Sequence, residues 1–176
     1  MNTVLSFDIS SSVIGWSKLA FDKDSISLIN YGNFKPIKSE SIEKRLIFVE
    51  NEINKICKNN NSDFYAVESY ANKFSSGRST ANTIRVLSIF NEVCNLQIFK
   101  TTGKQTFRFP VVTIRSQVSK LLGRKIVSKD EAFESLKNYF QKYKIVYNRN
   151  GNIKKECYDE IDSIAVGLCF INKNRS

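Results

Sequence analysis

The sequence predicts an α/β fold in which one mixed sheet of five strands, three antiparallel and continued by two parallel, is flanked by helices. Three observations predict it. Short apolar stretches with tight connections come first, segments with helical spacing alternate with compact strands afterwards, and 176 residues suffice for one sizeable core. The predicted order is β-β-β-α-β-α-β-α-α, and we expect residues 1–176 to form a single domain.

The N-terminal region is typical of an antiparallel meander. Residues 3–9, 13–21 and 26–34 are short apolar stretches, each predicted to be a strand. The connections "DISSS" and "DKDS" are too short for the helical crossover that parallel strands need. We therefore expect the three strands to pair antiparallel.

The middle of the chain changes to a helical period. Apolar residues at helical spacing predict a helix over 39–58, and the compact apolar stretch 62–69 predicts a fourth strand. A second helix is predicted over 79–99. The polar, basic stretch 100–108 is interpreted as a linker, and "FPVVTI" (109–114) is predicted to be the fifth strand.

The C-terminal part is predicted to be mainly helical. It contains a helical segment with "QVSKLLG", a basic loop, a helix over 129–143 and a last helix over 159–172. The irregular stretch 141–158 predicts a small hairpin that turns at Asn150 and Gly151.

Charge and composition restrict the possible chemistry. The chain has 27 Lys+Arg against 17 Asp+Glu, a net charge of +10 spread along its length, which favours a polyanionic partner, most plausibly nucleic acid. It has no histidine, which excludes Ser-His-Asp and Cys-His catalysis and zinc sites with imidazole ligands. Any reaction must use carboxylates, lysines or hydroxyls.

The cysteines and the hydropathy pattern indicate an intracellular protein. The four cysteines form no C-x-x-C pair, so we interpret them as reduced core thiols, with Cys57, Cys94, Cys157 and Cys169 as the full set. There is no apolar run of 18 residues, and a strand pattern begins within three residues of the N-terminus. We expect no signal or transit peptide and no membrane contact. The Asn/Lys/Ile-rich composition and small size suit a bacterium or a virus with AT-rich coding, so the expected location is the bacterial cytoplasm or, for a viral or phage protein, the host cell.

Four acidic residues lie at strand ends or at a helix start, where functional residues of α/β proteins are commonly found. Asp8 ends the first predicted strand, Glu68 ends the fourth, and Asp159 and Asp162 open the last helix. If that helix packs across neighbouring first and fourth strands, the four carboxylates converge and need a cation to offset their repulsion. Oxygen ligands without histidine or thiolate favour Mg²⁺ or Mn²⁺. On a basic surface, two such ions predict metal-assisted attack of water on a phosphodiester.

Each acid also has a purely structural interpretation. Asp8 is followed by serines and could be an ordinary turn residue. Asp159 and Asp162 form a D-x-x-D pattern that is nearly a helix capping box. The functional interpretation depends on all the placements together.

At these residues the sequence resembles the RuvC-type Holliday-junction resolvases, members of the ribonuclease H-like superfamily. "FDISSSVIGWS" resembles the first motif, with Asp8 at a strand end and Gly15 seven residues later. "AVESYANKFSSGRSTANTIRVLSIF" resembles the second, which carries the catalytic glutamate over to Glu68. "DEIDSIAVGL" resembles the third and carries over to Asp159 and Asp162.

The resemblance implies a homodimer that nicks four-way DNA junctions symmetrically, with Mg²⁺ at each active site and no small-molecule cofactor. Asp8 would bridge the two ions. The helix near residue 79 gives independent support for self-association, since its apolar residues cover more than one stripe. These are Ile84, Val86, Leu87, Ile89, Phe90 and Val93. A broad core-facing surface explains them equally well.

The resemblance also implies DNA contacts. "TIRSQVSKLLGRKIVSKDE" resembles a basic segment that approaches the scissile phosphate, and Lys129 matches a catalytic lysine there. Family members can carry a stacking aromatic at the position of Ala71, which Tyr70 and Phe74 flank here. The residues expected to contact the DNA backbone are Arg78, Arg115, Lys120, Arg124, Lys125 and Lys129.

The function predicted from the sequence is a metal-dependent endonuclease that resolves branched DNA. One alternative is another ribonuclease H-like nuclease acting on RNA:DNA hybrids, which would use the same acids. A second is a basic binding module without chemistry, whose acids serve as turns and caps. An actin-like ATPase half is disfavoured, because the chain is too short for two halves and lacks glycine-rich repeats.

Overall fold

The computed structural model describes residues 1–69, 81–126, 128–140 and 142–175. Ten helices and strands lie in these ranges. The strands are β1 (Asn2–Ile9), β2 (Ile14–Phe21), β3 (Ile26–Phe34), β4 (Phe64–Glu68) and β5 (Thr106–Phe109). The helices are α1 (Ile42–Asn59), α2 (Ala81–Thr102), α3 (Val111–Leu121), α4 (Lys129–Tyr139) and α5 (Lys155–Asn174).

The five strands form one mixed sheet in the order β3-β2-β1-β4-β5. The predicted meander is confirmed, because β1 pairs antiparallel with β2 and β2 with β3. The two predicted parallel additions are also confirmed, since β4 lies parallel to β1 and β5 parallel to β4. β1 is therefore the central strand, and its end and the end of β4 lie at the same edge of the sheet.

Helices cover both faces of the sheet. Successive side chains of β1 enter opposite cores, with Val4 on one side and Leu5 and Phe7 on the other. The Val4 side is packed by α3, α4 and α5, and the Leu5 side by α1 and α2. A strand buried on both faces is nearly continuously apolar, which explains why β1 could be recognised in the sequence.

Small residues let α5 approach the sheet closely. A Cβ atom on Gly15 would lie 2.0 Å from the carbonyl oxygen of Asp159, and one on Gly167 would lie 2.6 Å from Leu19 Cδ1. Between the strands, the buried Ser6 and Ser17 hydroxyls hydrogen-bond to each other at 2.9 Å. Side chains larger than hydrogen at these glycines would push α5 away from β2 and β1.

The predicted fifth strand over 109–114 is wrong. The strand is β5, which ends at Phe109, and part of it lies in the stretch interpreted as a linker. α3 begins directly after Pro110, whose extended backbone allows a helix to start. The apolar run is helical because Ile114 and Val118, four residues apart, point into the core.

Helix boundaries near the C-terminus also differ from the prediction. α5 begins at Lys155 rather than at residue 159, and α4 ends at Tyr139 rather than at 143. Asp159 therefore lies in the second turn of α5 and is not its N-cap. The predicted hairpin is present, with Tyr147 bridged to Ile153 and Gly151 at a φ of 77°.

The four cysteines are buried and free, as the sequence predicted. In the described part of the chain, no helix combines the length and the apolar character that crossing a membrane requires.

Candidate active site

The acidic side chains meet where β1 and β4 end. Phe7 and Val67 are the last pair in the register of these parallel strands. Asp8 and Glu68 follow them directly, so the two carboxylates emerge from neighbouring strands at the same edge of the sheet. Antiparallel pairing on the other side of β1 places Asp8 opposite Gly15, the residue against which α5 packs.

α5 supplies the other two carboxylates. Asp159 and Asp162 lie about one turn apart, on the side of α5 that faces Asp8. One carboxylate oxygen from each of Asp8, Asp159 and Asp162 lies within 4.8 Å of the other two. Glu68 is outside this trio but lines the same cavity of about 360 Å³.

Serines rather than Asp8 close the turn after β1. Ser10 Oγ accepts hydrogen bonds from the backbone N–H groups of Ser12 and Val13 and donates to the Val13 carbonyl at 2.6 Å. Arg45 of α1 donates to the Ser11 carbonyl and so ties the turn to that helix. The side-chain hydrogen bonds characteristic of a turn are supplied by Ser10.

Lys129, the first residue of α4, reaches into the carboxylate cluster. Its Nζ lies 2.6 Å from Asp162 Oδ2 and 4.0 Å from Asp159 Oδ1. Ser128 fixes the start of α4 through a capping box with Glu131. The cluster thus already holds one positive charge of the chain itself.

Burial and mutual repulsion govern the protonation of the acids. Burial and then repulsion from the other three carboxylates hold the pKa of Asp8 well above its ordinary range, against the attraction of Lys129. Burial, followed by repulsion from Asp162, raises the pKa of Glu68 to about 7. Burial also raises the pKa values of Asp159 and Asp162.

The pKa of Lys129 is raised as well, which favours the charged form of this side chain. Burial alone would lower the pKa of Lys129, but the attraction and hydrogen bond of Asp162, with help from Asp8 and Asp159, outweigh it and raise the pKa. The cluster therefore favours a cation.

The residues fit a divalent metal ion of the hard, oxygen-binding kind. Their donors are carboxylate oxygens close enough to share one ion. Among the described residues, the acidic or cysteine side chains found close enough together for this are Asp8, Asp159 and Asp162. A bound ion would relieve the repulsion that raises the carboxylate pKa values. Asp8, Asp159 and Asp162 would hold such an ion, with Glu68 beside them.

Four of the basic residues expected to contact DNA line one open groove beside the cavity. We call it the basic groove; it is lined by Arg115, Lys120, Arg124 and Lys125 together with small and apolar residues. Arg115 also lines the acidic cavity. Arg124 additionally donates to Ser135 Oγ, which fixes it against α4. Tyr70, Phe74 and Arg78 lie outside the described residues.

Two asparagines of α2 lie behind Glu68 and were not among the predicted site residues. The buried Asn91 of α2 donates from Nδ2 to the Glu68 carbonyl at 2.7 Å. Asn95, one turn later, donates to Asn91 Oδ1 at 2.9 Å. A buried asparagine in the apolar pattern of α2 was the available sequence signal, since such groups need partners.

Helix α2 has apolar residues both inside and outside the core. Phe90 is buried between the sheet and α1, and Leu87 lines the acidic cavity. Leu96 and Phe99 are about half exposed, at 50% and 49%. The apolar surface of α2 thus exceeds what the described core covers.

Comparison with known sequences finds a relative for part of the chain. No protein-family model matches the chain. A segment of 65 residues is 34% identical to the crossover junction endodeoxyribonuclease RuvC of Fusobacterium nucleatum subsp. nucleatum. It covers 37% of this chain and spans 34% of the length of that relative.

Solved structures resemble the whole chain. Thermus thermophilus RuvC in complex with a Holliday junction substrate superposes with a TM-score of 0.73 at 11% identity, over 99% of this chain and 96% of that one. The chain has the RuvC fold. The yeast mitochondrial Holliday junction resolvase Ydc2 gives a TM-score of 0.64 at 13% identity, over 96% and 77% of the two chains. The fowlpox virus resolvase with Holliday junction DNA gives 0.54 at 15% identity, over 97% of each. The predicted fold class is confirmed, and Asp8 and Glu68 lie at the ends of two neighbouring strands of its sheet.

Proposed function

We propose that the chain is a metal-dependent endonuclease that cuts four-way DNA junctions by paired, symmetric nicks. The observation that carries the proposal is the meeting of Asp8, Glu68, Asp159 and Asp162 in one cavity of a RuvC fold. The sequence relative is a crossover junction endodeoxyribonuclease, and two of the structural neighbours hold Holliday junction DNA. Charge supports the substrate class, since a chain of net charge +10 attracts a polyanion.

Within this proposal the chain's residues have distinct roles. Two Mg²⁺ ions, with Mn²⁺ able to replace them, would polarise the scissile phosphodiester and activate a water molecule. Asp8 would contribute to both ions, with Glu68, Asp159 and Asp162 completing the ligands. Lys129 would turn from Asp162 towards the phosphate and donate a hydrogen bond to its charged oxygens as negative charge develops there.

The basic groove would hold the DNA next to the cut. Arg115 lines both this groove and the acidic cavity, so it is placed to contact the backbone close to the scissile phosphate. Such contacts position the DNA without reading its sequence. From the sequence alone, Tyr70 and Phe74 are proposed to stack on bases at the junction and Arg78 to contact the DNA backbone.

A homodimer fits this activity because a four-way junction presents two equivalent strands to be cut. The half-exposed Leu96 and Phe99 on α2 supply apolar surface that a second copy could cover. The four free thiols suit the reducing interior of a bacterium or of a virus-infected host cell, where such a substrate occurs.

One assay tests the proposal. Purified protein is incubated with a labelled four-way junction, the matching linear duplex and an RNA:DNA hybrid, each with Mg²⁺ or with EDTA. We expect paired nicks in the junction that disappear with EDTA and with Glu68→Gln. Cleavage of the hybrid alone would favour a ribonuclease H activity. No cleavage of any of these substrates, despite binding, would favour a binding module and contradict the proposal.

A further inference from the structure

A second basic cleft adjoins the acidic cavity. We call it the lysine cleft; it has a volume of about 740 Å³, and the residues on its walls that matter here are Ser12, Lys35, Lys38, Lys155 and Tyr158. It shares Lys129 and Asp159 with the acidic cavity. Lys35 and Lys38 from one segment and Lys155 from a distant one therefore converge beside the candidate metal ligands.

The fold fixes where these lysines lie. Lys35 and Lys38 belong to the short connection between β3 and α1, and Lys155 is the first residue of α5. Lys35 is ion-paired with Glu156 of α5, which ties the connection to that helix. Within the described ranges Lys38 and Lys155 have no ion-pair partner. Lys154 at the N-cap of α5 makes no capping hydrogen bond through its side chain, so the positive end of the helix adds to the field.

The two basic clefts meet the active site on different sides. The basic groove shares Arg115 and Ile126 with the acidic cavity, whereas the lysine cleft shares Lys129 and Asp159 with it. The two clefts have no lining residue in common. The acidic cavity thus lies between two positively charged clefts.

We propose that the lysine cleft binds the phosphodiester backbone of the cut strand on the side of the scissile phosphate opposite to the basic groove. This rests on the proposed nuclease function. Positive clefts on both sides would carry one strand across the four carboxylates, which by themselves repel a phosphate. Lys38 and Lys155 supply the contacts, and Lys35 keeps the cleft attached to α5.

The test compares two double variants with the wild-type chain. Lys38→Gln/Lys155→Gln removes two charges from the lysine cleft. Lys23→Gln/Lys58→Gln removes two exposed charges outside both clefts. Lys23 follows β2, whose last residue pairs with Asn2 at the start of β1, and Lys58 lies in the last turn of α1. Binding to a four-way junction is measured in EDTA at several salt concentrations. Because the first variant can no longer neutralise two phosphates, its slope of log K against log salt should fall by about 1.8. The control variant should keep the wild-type slope.

Neutral linkages locate the contact. Junctions carry single methylphosphonate linkages at successive positions on either side of the cut. In the wild-type protein, neutral linkages on both sides should weaken binding, and Lys38→Gln/Lys155→Gln should lose sensitivity on one side only. If the wild-type protein cuts the junction but the cleft variant keeps the wild-type slope and two-sided sensitivity, the lysine cleft proposal is wrong and the nuclease stands. If the wild-type protein neither binds nor cuts branched DNA, both proposals fail.

Discussion

The acidic cavity and the two clefts beside it are constructed in opposite ways. Asp8, Glu68 and Asp162 project from β1, β4 and α5, and each follows directly on a buried core residue of its element. The lysines and arginines of the clefts lie on α3, on the ends of helices and on connections, and most are exposed. Metal ligands require fixed positions, whereas attraction of a charged backbone depends mainly on the amount and location of charge. Single substitutions in the acidic cavity should therefore abolish cleavage, whereas single substitutions in the two clefts should each weaken DNA binding by a small amount.

The largest effect is expected from Gly15→Ala. The added Cβ would lie 2.0 Å from the Asp159 backbone oxygen, so α5 must move and the carboxylates must separate. We expect a loss of at least about 3 kcal/mol in the free energy of unfolding and no junction cleavage. Denaturant unfolding and the cleavage assay measure the two effects.

Gly32→Ala is the matched control in the same sheet. Its Cβ would lie 3.1 Å from ring atoms of Trp16, a side chain that can shift slightly. We expect the free energy of unfolding to fall by at most about 1 kcal/mol and junction cleavage to be retained. Equal stability and activity for the two variants would show that the close approach of α5 to β2 does not position the acids.

Asp8→Asn separates the functional from the structural interpretation of that residue. Cleavage should fall by more than about 100-fold, because loss of groups that only orient metal ligands already costs roughly 10- to 100-fold. Without metal, however, the variant should be more stable than wild type, since burial and repulsion disfavour the charged form of Asp8 and raise its pKa. Thermal unfolding in EDTA measures the second effect. A variant that is less stable and fully active would restore Asp8 to the role of a turn residue.

The stability of the metal-free protein should fall as pH rises from about 4.5 to about 7. The pKa of Glu68 is about 7 in the folded chain against an ordinary 4.5, so the folded state binds more protons in this window. Stability gained from the protonated carboxyl is lost as pH rises through the folded pKa. Unfolding midpoints in EDTA across this range test the expectation, with Glu68→Gln as the variant whose curve should be flatter.

Added Mg²⁺ should reverse that trend. The ion binds the deprotonated carboxylates, so its stabilising effect should grow with pH over the same window. A metal-free protein whose stability rises between about pH 5 and 7 would contradict the electrostatic description of the cavity.

The sheet order was predictable because tight connections in the first 34 residues require antiparallel neighbours. The approach of the acids was predictable only from their placements together, since Asp8 alone also suits a turn and Asp8 and Glu68 become neighbours only when β1 and β4 pair in parallel. A segment whose sequence pattern suits both a strand and a helix could not be assigned from the sequence. The apolar run around Ile114 suits a strand as well as a helix, and Pro110 determined the outcome.

Contacts between segments that are far apart in the chain could not be predicted, for a different reason. The start of α5 lies in a polar stretch without a capping side chain, so Asp159 looked like its first residue when Lys155 is. The lysine cleft forms because the connection between β3 and α1 lies beside α5. This proximity results from the packing of α5 on β2 and β3. Neither Lys38 nor Lys155 forms part of a local pattern.

The smallest effect is expected from single charges in the basic groove. Lys125→Gln should lower junction affinity only a few-fold and reduce the salt slope by about 0.9, because one exposed lysine contacts at most one phosphate. Arg115→Gln should do more, since this residue lines both the groove and the acidic cavity, where its charge also lowers the pKa values of Glu68 and Asp162. The comparison uses binding in EDTA and cleavage in Mg²⁺. If Lys125→Gln abolished cleavage while leaving the salt slope unchanged, the groove would be part of the catalytic machinery rather than a surface that attracts the backbone through its charge.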